Sequence, residues 1–137
     1  MAEQAHSVLQ NVAPFFFVRE VVAATEYYVN MLGFTQPEYL GDPPCFAMPH
    51  RDGLIVMLSQ TDDQSTIRSN NEEEHPDGGS WDAYFWVSDA RVMFDEAKAA
   101  GARIVYGPVL QEHYRNWEFG VRDIDGYLLA FGSDAGP

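Results

Sequence analysis

The sequence predicts an α+β fold of two like modules, and three observations predict it. An Asp-Gly turn leads into an apolar strand twice, as DGLIVMLS from Asp52 and as DGYLLAFG from Asp125. An apolar helical stretch ends on glycine twice, at Leu32-Gly33 and at Ala100-Gly101. A strand-like run precedes each helix, ending at Phe17-Val18 and at Trp86-Val87. The signs agree in order and nearly in spacing, with one residue fewer in the second helix segment, so the chain is an internal repeat. Each half reads strand, helix, then about three strands. Alone, either half exposes one face of a small sheet; side by side the halves curve into a half-barrel with the helices outside.

Each element has its own local reason. Residues 11–18, NVAPFFFV, are apolar and aromatic and suit a strand, and Pro14, without an amide donor, puts it at an edge or leaves its amide side free. Val21, Ala24, Tyr28, Met31 and Leu32 recur at helical spacing, and Gly33 stands where a helix end wants a left-handed residue. Segment 34–49 is Pro-rich and irregular, with short strand candidates at 37–40 and 45–48. Strand 54–59 follows the first Asp-Gly turn. Residues 60–80, QTDDQSTIRSNNEEEHPDGGS, offer little to bury and read as a linker or mobile loop. Within them Glu72-Glu73-Glu74 reads as a solvated charge cluster. The modules are thus bounded at 8–60 and 81–133, with an acidic linker at 61–80, in a single domain of residues 1–137.

The second module opens with DAYFWV, residues 82–87, as a strand. Val92, Met93, Ala97 and Ala100 mark its helix, which Gly101 ends. ARIVY, residues 102–106, is a strand and Gly107-Pro108 a turn signal. WEFGVRD, residues 117–123, is a strand leading into Asp125-Gly126, and 127–132 is the last strand.

Composition narrows the function classes. The chain has 137 residues, 46% hydrophobic and 14% aromatic, which is enough for one packed domain and unlike a disordered chain. Its formal net charge of −13 repels phosphate backbones, so nucleic acid is not an expected partner and a cationic ligand is favoured. The same acidity also serves solubility. Cys45 is the only cysteine, which fits a reducing compartment. The start, MAEQAHSVLQ, lacks the basic and apolar regions of a secretory signal, and no apolar run is long enough for a bilayer, so no membrane partner is expected. The expectation is a soluble cytoplasmic protein.

Two stretches carry a family resemblance. The run Pro14-Phe15-Phe16-Phe17-Val18-Arg19-Glu20, with Tyr27-Tyr28 and Leu32-Gly33-Phe34 after it, resembles the first module of the vicinal oxygen chelate superfamily. So does the ending Trp117-Glu118-Phe119-Gly120-Val121-Arg122-Asp123-Ile124-Asp125-Gly126-Tyr127. The superfamily includes glyoxalase I, extradiol dioxygenases, methylmalonyl-CoA epimerase, fosfomycin-resistance enzymes and bleomycin-resistance proteins. The resemblance spans roughly residues 8–133 and implies paired βαβββ modules forming a curved mixed sheet around a ligand cavity. It speaks for fold more than for activity, since one scaffold hosts several chemistries. In the family's metalloenzymes it implies ligands at two equivalent positions per module, which fall here on Ala13, Met57, Asp82 and Ala130. Only Asp82 is a donor for a hard or borderline ion. A register slip of one residue brings in Val12, Pro14, Val56, Leu58, Leu129 or Phe131, none of them a ligand. The expectation is a protein with no metal and no cofactor.

The candidate site is therefore made of rings. Strand parity puts Tyr84 and Trp86 on the side of Asp82, and Phe15 and Phe17 on the side of Ala13, facing the cavity that the resemblance implies. Met57 adds a deformable wall, and Tyr114 and Trp117 sit near the mouth. The same rings also read as core filler. His6, His50 and His75 read as surface residues, whereas His113 lies in the loop before the penultimate strand and, with Glu112 or Glu118, is a candidate acid–base pair. A solvated loop histidine is the competing reading. Three hypotheses follow. One is a metal-free, bleomycin-resistance-like homodimer that binds or sequesters a small aromatic or cationic molecule at Phe15, Phe17, Met57, Asp82, Tyr84, Trp86, His113, Tyr114 and Trp117. The others are a metal-dependent lyase, isomerase or dioxygenase of the same superfamily, and a metal-independent enzyme using Asp82 or His113.

Overall fold

A computed structural model describes residues 4–72 and 79–137. His75 and the Glu73-Glu74 part of the acidic run lie outside the described residues. Strand β1 (Phe15–Val18) leads into helix α1 (Val21–Leu32), short strands β2 (Phe46–Ala47), β3 (His50–Arg51) and β4 (Leu54–Ile55), then β5 (Met57–Gln60). The second half runs β6 (Ala83–Trp86), helix α2 (Ala90–Ala100), β7 (Arg103–Gln111), β8 (Asn116–Arg122) and β9 (Leu128–Asp134). The architecture is α+β, in open sheets: one in the order β1-β5-β2, one in the order β6-β9-β8-β7, and the β3-β4 hairpin.

The two halves repeat each other in pairing as well as order. β1 runs parallel to β5, and β6 parallel to β9. Both helices end on a left-handed glycine, Gly33 at φ 72° and Gly101 at φ 97°, a conformation that costs glycine nothing. Their starts differ. Asp89 caps α2 by accepting from the Arg91 and Val92 amides, whereas Val21 at the start of α1 donates to the Gln60 side chain of β5 at 2.9 Å. One helix start is satisfied locally and the other by the strand it packs on.

Helix α1 lies on β5 and β2, helix α2 on β7, β8 and β9, and the helices touch each other. The core forms between helices and sheets, with Val18, Tyr28, Leu32, Leu58, Phe119, Leu129 and Phe131 almost fully buried. The halves are joined by polar contacts from α1 and β1. Tyr28 donates its hydroxyl to Asp123 at 2.7 Å, Tyr27 donates to the Arg122 carbonyl at 2.8 Å, and Tyr127 donates to the Phe17 carbonyl at 2.6 Å. The Tyr127 ring stacks on Phe16 with centroids 4.3 Å apart.

Four local expectations change. The first strand starts at Phe15 rather than residue 11, although the Pro14 carbonyl still accepts from the Met57 amide at 2.9 Å. Candidate strand 37–40 reduces to one bridge, Leu40 with Phe46. Strand 54–59 is split between two sheets at the buried Val56. Gly107-Pro108 is not a turn; β7 runs through it with register shifts against β8 between Ile104 and Val109. A bulge lets a strand absorb such residues without ending. The described part of the acidic segment is also tied down. Asn71 is buried, and Arg122 donates to its carbonyl and to its side-chain oxygen.

A tyrosine-ringed carboxylate as candidate ligand site

The residues of β8, NWEFGVR, alternate strictly, and so do their surroundings. Trp117, Phe119 and Val121 face the helix layer, where Phe119 meets Phe94 of α2 at 5.5 Å. Asn116, Glu118, Gly120 and Arg122 take the opposite face. On β6, Phe85 points inward and stacks on Phe131 at 5.1 Å, which sends Tyr84 and Trp86 to the face that Glu118 occupies.

Glu118 is 0% exposed. Four donors converge on its two oxygens. Tyr84 and Tyr114 donate hydroxyls to Oε1 at 2.9 and 2.6 Å, while Tyr106 at 2.8 Å and the Gln111 amide at 3.3 Å donate to Oε2. Tyr84 Oη in turn accepts from Asn116 Nδ2 at 3.0 Å, and Tyr106 Oη accepts from the Trp81 indole at 3.0 Å. Each of those hydroxyls therefore keeps its own proton for Glu118, whose carboxylate is an acceptor only. Burial, with a further push from the Glu118 charge, raises Tyr84 to about 12 against the opposing Asn116 bond. Tyr106 and Tyr114 are raised further, by burial first and Glu118 second. All three remain protonated donors at neutral pH. Among the described residues no lysine or arginine forms an ion pair with Glu118.

Two strand-interior glycines make the arrangement possible. A β-carbon on Gly132 would collide with the Tyr84 hydroxyl and ring, and one on Gly120 with the Tyr106 ring. Both tyrosines lie flat across the backbone of the neighbouring strands, the close approach that a glycine inside a strand permits.

Above this cluster Trp81, Tyr84, Trp86, Tyr114 and Asn116 line an open cavity of about 330 Å³. Trp81 and Tyr84 meet edge to face at 4.7 Å, and Tyr84 and Trp86 lie 5.3 Å apart at a tilt. Trp86 is 67% exposed, so a large ring faces solvent with room for a guest. It also borders a second cavity of about 420 Å³, whose other walls include Phe34, Arg51, Val92, Met93 and Glu96.

The expected site residues are distributed over several places. Tyr84, Trp86 and Tyr114 come together in the ring-lined cavity. Phe15, Phe17 and Met57 lie on the corresponding face of the first module, where Phe15 and Phe17 meet edge to face at 5.2 Å and Phe15 pairs with Met57. Asp82 is not the acid beneath the rings. Its carboxylate accepts from the Ser69 hydroxyl, the Asn70 amide and the Leu128 amide, fastening the segment before β6 to β9. Trp117 faces the helix layer, with the Arg91 guanidinium 4.8 Å from its ring centroid. His113 is exposed in the β7–β8 hairpin, and neighbouring Glu112 pairs with Arg115 at 3.3 Å instead. Tyr106, Trp81 and Asn116 are absent from the sequence-based candidates, and Glu118 stands among them only as an acid–base partner for His113, from which the structure separates it in role. The signal for Glu118 lay in the β8 alternation, and for the tyrosines in Gly120 and Gly132.

The metal positions of the fold family do not fit a metal here. Met57 and Ala130 pair with Phe15 and Tyr84, and Asp82 already holds three donors. Among the described residues no three His, Cys, Asp or Glu side chains converge. No described helix is long and apolar enough to cross a membrane.

Solved structures share this fold. TioX from Micromonospora sp. ML1 is 23% identical with a TM-score of 0.67, over 90% of this chain and 98% of that one. The bleomycin-binding protein from bleomycin-producing Streptomyces verticillus, complexed with copper(II)-bleomycin, is 19% identical with a TM-score of 0.66, over 96% and 100%. The genomically encoded fosfomycin resistance protein FosX from Listeria monocytogenes is 12% identical with a TM-score of 0.63, over 94% of each chain. A search of curated protein sequences finds no match. The family profile matches residues 8–131, and the chain accordingly belongs to the Glyoxalase/Bleomycin resistance protein/Dioxygenase superfamily.

Proposed function

We propose that this protein is a metal-free member of its superfamily that binds and sequesters a small aromatic or cationic molecule in the cavity walled by Trp81, Tyr84, Trp86 and Tyr114. The observation that carries the reading is the placing of these rings over a buried carboxylate with no ionic partner among the described residues. Rings supply dispersion and stacking, and a cation over their faces gains from the ring quadrupoles. The cavity is of the size that small-molecule sites occupy. Binding is read by quenching of intrinsic tryptophan fluorescence across a panel of aromatic and cationic compounds. Saturable quenching that Trp86→Ala weakens at least about tenfold supports the reading. Saturable quenching that Trp86→Ala leaves unchanged places the ligand elsewhere and overturns it.

The working unit we propose is a homodimer. Val8, Leu9 and Val12 are exposed, Leu9 at 97%, and Phe15, Phe17, Leu40, Met48 and Leu54 expose further apolar surface in the same half of the chain. A second copy is the simplest cover for so much apolar surface. Light scattering coupled to size exclusion tests it. Twice the chain mass, falling to one chain mass in Phe15→Asp, is the expected result, and a monomer at tens of micromolar overturns it.

A further inference from the structure

We infer that the preferred ligand is an organic cation without N–H donors, such as a quaternary ammonium or a permanently charged aromatic ring, and that Glu118 selects it through the tyrosine hydroxyls rather than by direct contact. The inference rests on the cavity being the ligand site and adds the chemical class that it takes.

Charge is the first step. Glu118 is completely buried and has no lysine or arginine ion-pair partner among the described residues. A buried carboxylate without a counter-ion is costly, and hydrogen bonds spread its charge without cancelling it. Tyr84 and Tyr114 both hydrogen-bond its Oε1 and both line the cavity. The negative charge therefore lies one hydroxyl behind the cavity wall, and a cation in the cavity offsets it.

Lone pairs are the second step. Oε1 accepts two hydroxyls, and Oε2 accepts one hydroxyl and one amide. That fills the carboxylate. A primary ammonium entering the cavity gives up water at its N–H groups and finds no vacant carboxylate position; what the wall leaves it is a neutral acceptor such as Tyr114 Oη, a weaker partner than a carboxylate oxygen. A trimethylammonium or N-alkylated ring has no N–H groups to satisfy. It is weakly hydrated, presses methyl groups on ring faces, and keeps the full electrostatic attraction. The walls suit it, since among the described residues Asn116 is the one non-aromatic side chain lining the cavity, and its Nδ2 donates to Tyr84.

Three probes sharing one ring system separate the possibilities: (1-naphthylmethyl)trimethylammonium, 1-naphthylmethylammonium and 1-naphthalenemethanol, titrated into the full-length protein by calorimetry at pH 7. The expected order has the trimethylammonium binding at least about tenfold tighter than either other probe. Glu118→Gln should remove most of that advantage, lowering the trimethylammonium's affinity far more than the alcohol's. Tyr84→Phe keeps the wall and removes one relay hydroxyl, so it gives a partial loss and guards against a folding defect in Glu118→Gln. Equal binding of alcohol and trimethylammonium overturns the cation inference while the cavity remains a binding site for aromatic molecules. Tighter binding of the primary ammonium overturns the selection against N–H donors. No binding of any probe at millimolar concentration overturns both this inference and the reading on which it rests.

Discussion

The two modules place different chemistry on the same positions. Phe15 pairs with Met57 and Phe17 with Ser59, as Tyr84 pairs with Ala130 and Trp86 with Gly132. Phe46 pairs with Ser59 as Glu118 pairs with Gly132. Register thus sets Phe15 against Tyr84, Phe17 against Trp86, and Phe46 against Glu118. In the first module the three positions form an aromatic group, with Phe15 and Phe46 6.5 Å apart. In the second they hold a hydrogen-bonded carboxylate under rings. A buried charge needs donors, the donors are tyrosines, and the tyrosines need space, so Ser59 gives way to Gly132. One module keeps an apolar face and the other makes a receptor from the same scaffold.

The largest expected contrast is in pH dependence, because only the second module buries a carboxylate at its Asp-Gly turn. Asp123 precedes that turn, accepting from Tyr28 and from the Asp125 and Tyr127 amides; the matching position in the first module is the exposed His50. Burial outweighs those hydrogen bonds and raises Asp123 to about 7. The folded chain therefore holds a proton that the unfolded chain releases near pH 4. That contribution is full below pH 4 and is lost as pH rises through 7, at up to about 1.4 kcal/mol per pH unit. Asp123→Asn should flatten the denaturation free energy between pH 4 and 7 relative to the parent. Parallel curves for parent and variant would refute it.

Next comes Gly132→Ala, which sets a methyl against the Tyr84 ring. A loss of about 1–3 kcal/mol is expected, partly recovered by adding Tyr84→Ala, and thermal unfolding of the single and double variants checks it. Tyr106→Phe leaves Glu118 short of one donor and the Trp81 indole without its acceptor, for about 1–2 kcal/mol by chemical denaturation. The smallest change is Ser59→Ala, the first-module counterpart of Gly132, expected within about 0.5 kcal/mol of the parent. If it matched Gly132→Ala in cost, the contrast between the modules would fail.

Much of this fold is legible in the sequence, because its signals are local. Glycine caps, Asp-Gly turns and period-two strands each act within a few residues, and the repeat doubles every one of them. Where structure and sequence differ, the cause is non-local. Gly107-Pro108 carries a turn composition, yet pairing with β8 holds the strand together through a bulge. Asn71 and Ser69 look like linker residues until Arg122 and Asp82 reach them from the second module. Asp82 has the parity of a cavity acid, but nearby amides take its oxygens first. Trp117 shows the opposite case. The alternation N-W-E-F-G-V-R already separates it from Glu118, so its place on the helix-facing side is legible from the strand period.

The unequal Asp-Gly turns also decide where the chain can be cut and rejoined. Asp125 is held by the Arg19 amide at 3.0 Å, and its turn closes the Asp123 network. Asp52 and Gly53 are exposed, nothing approaches the missing β-carbon of Gly53, the Gly53 carbonyl accepts from the Asn11 side chain, and Asp52 pairs with its neighbour Arg51 at the surface. Exposed loop tips of that kind tolerate new termini and inserted peptides best. A circular permutant opened at Asp52-Gly53, or an affinity tag inserted there, should leave the receptor module intact, whereas the same operation at Asp125-Gly126 would pull apart the junction between the halves.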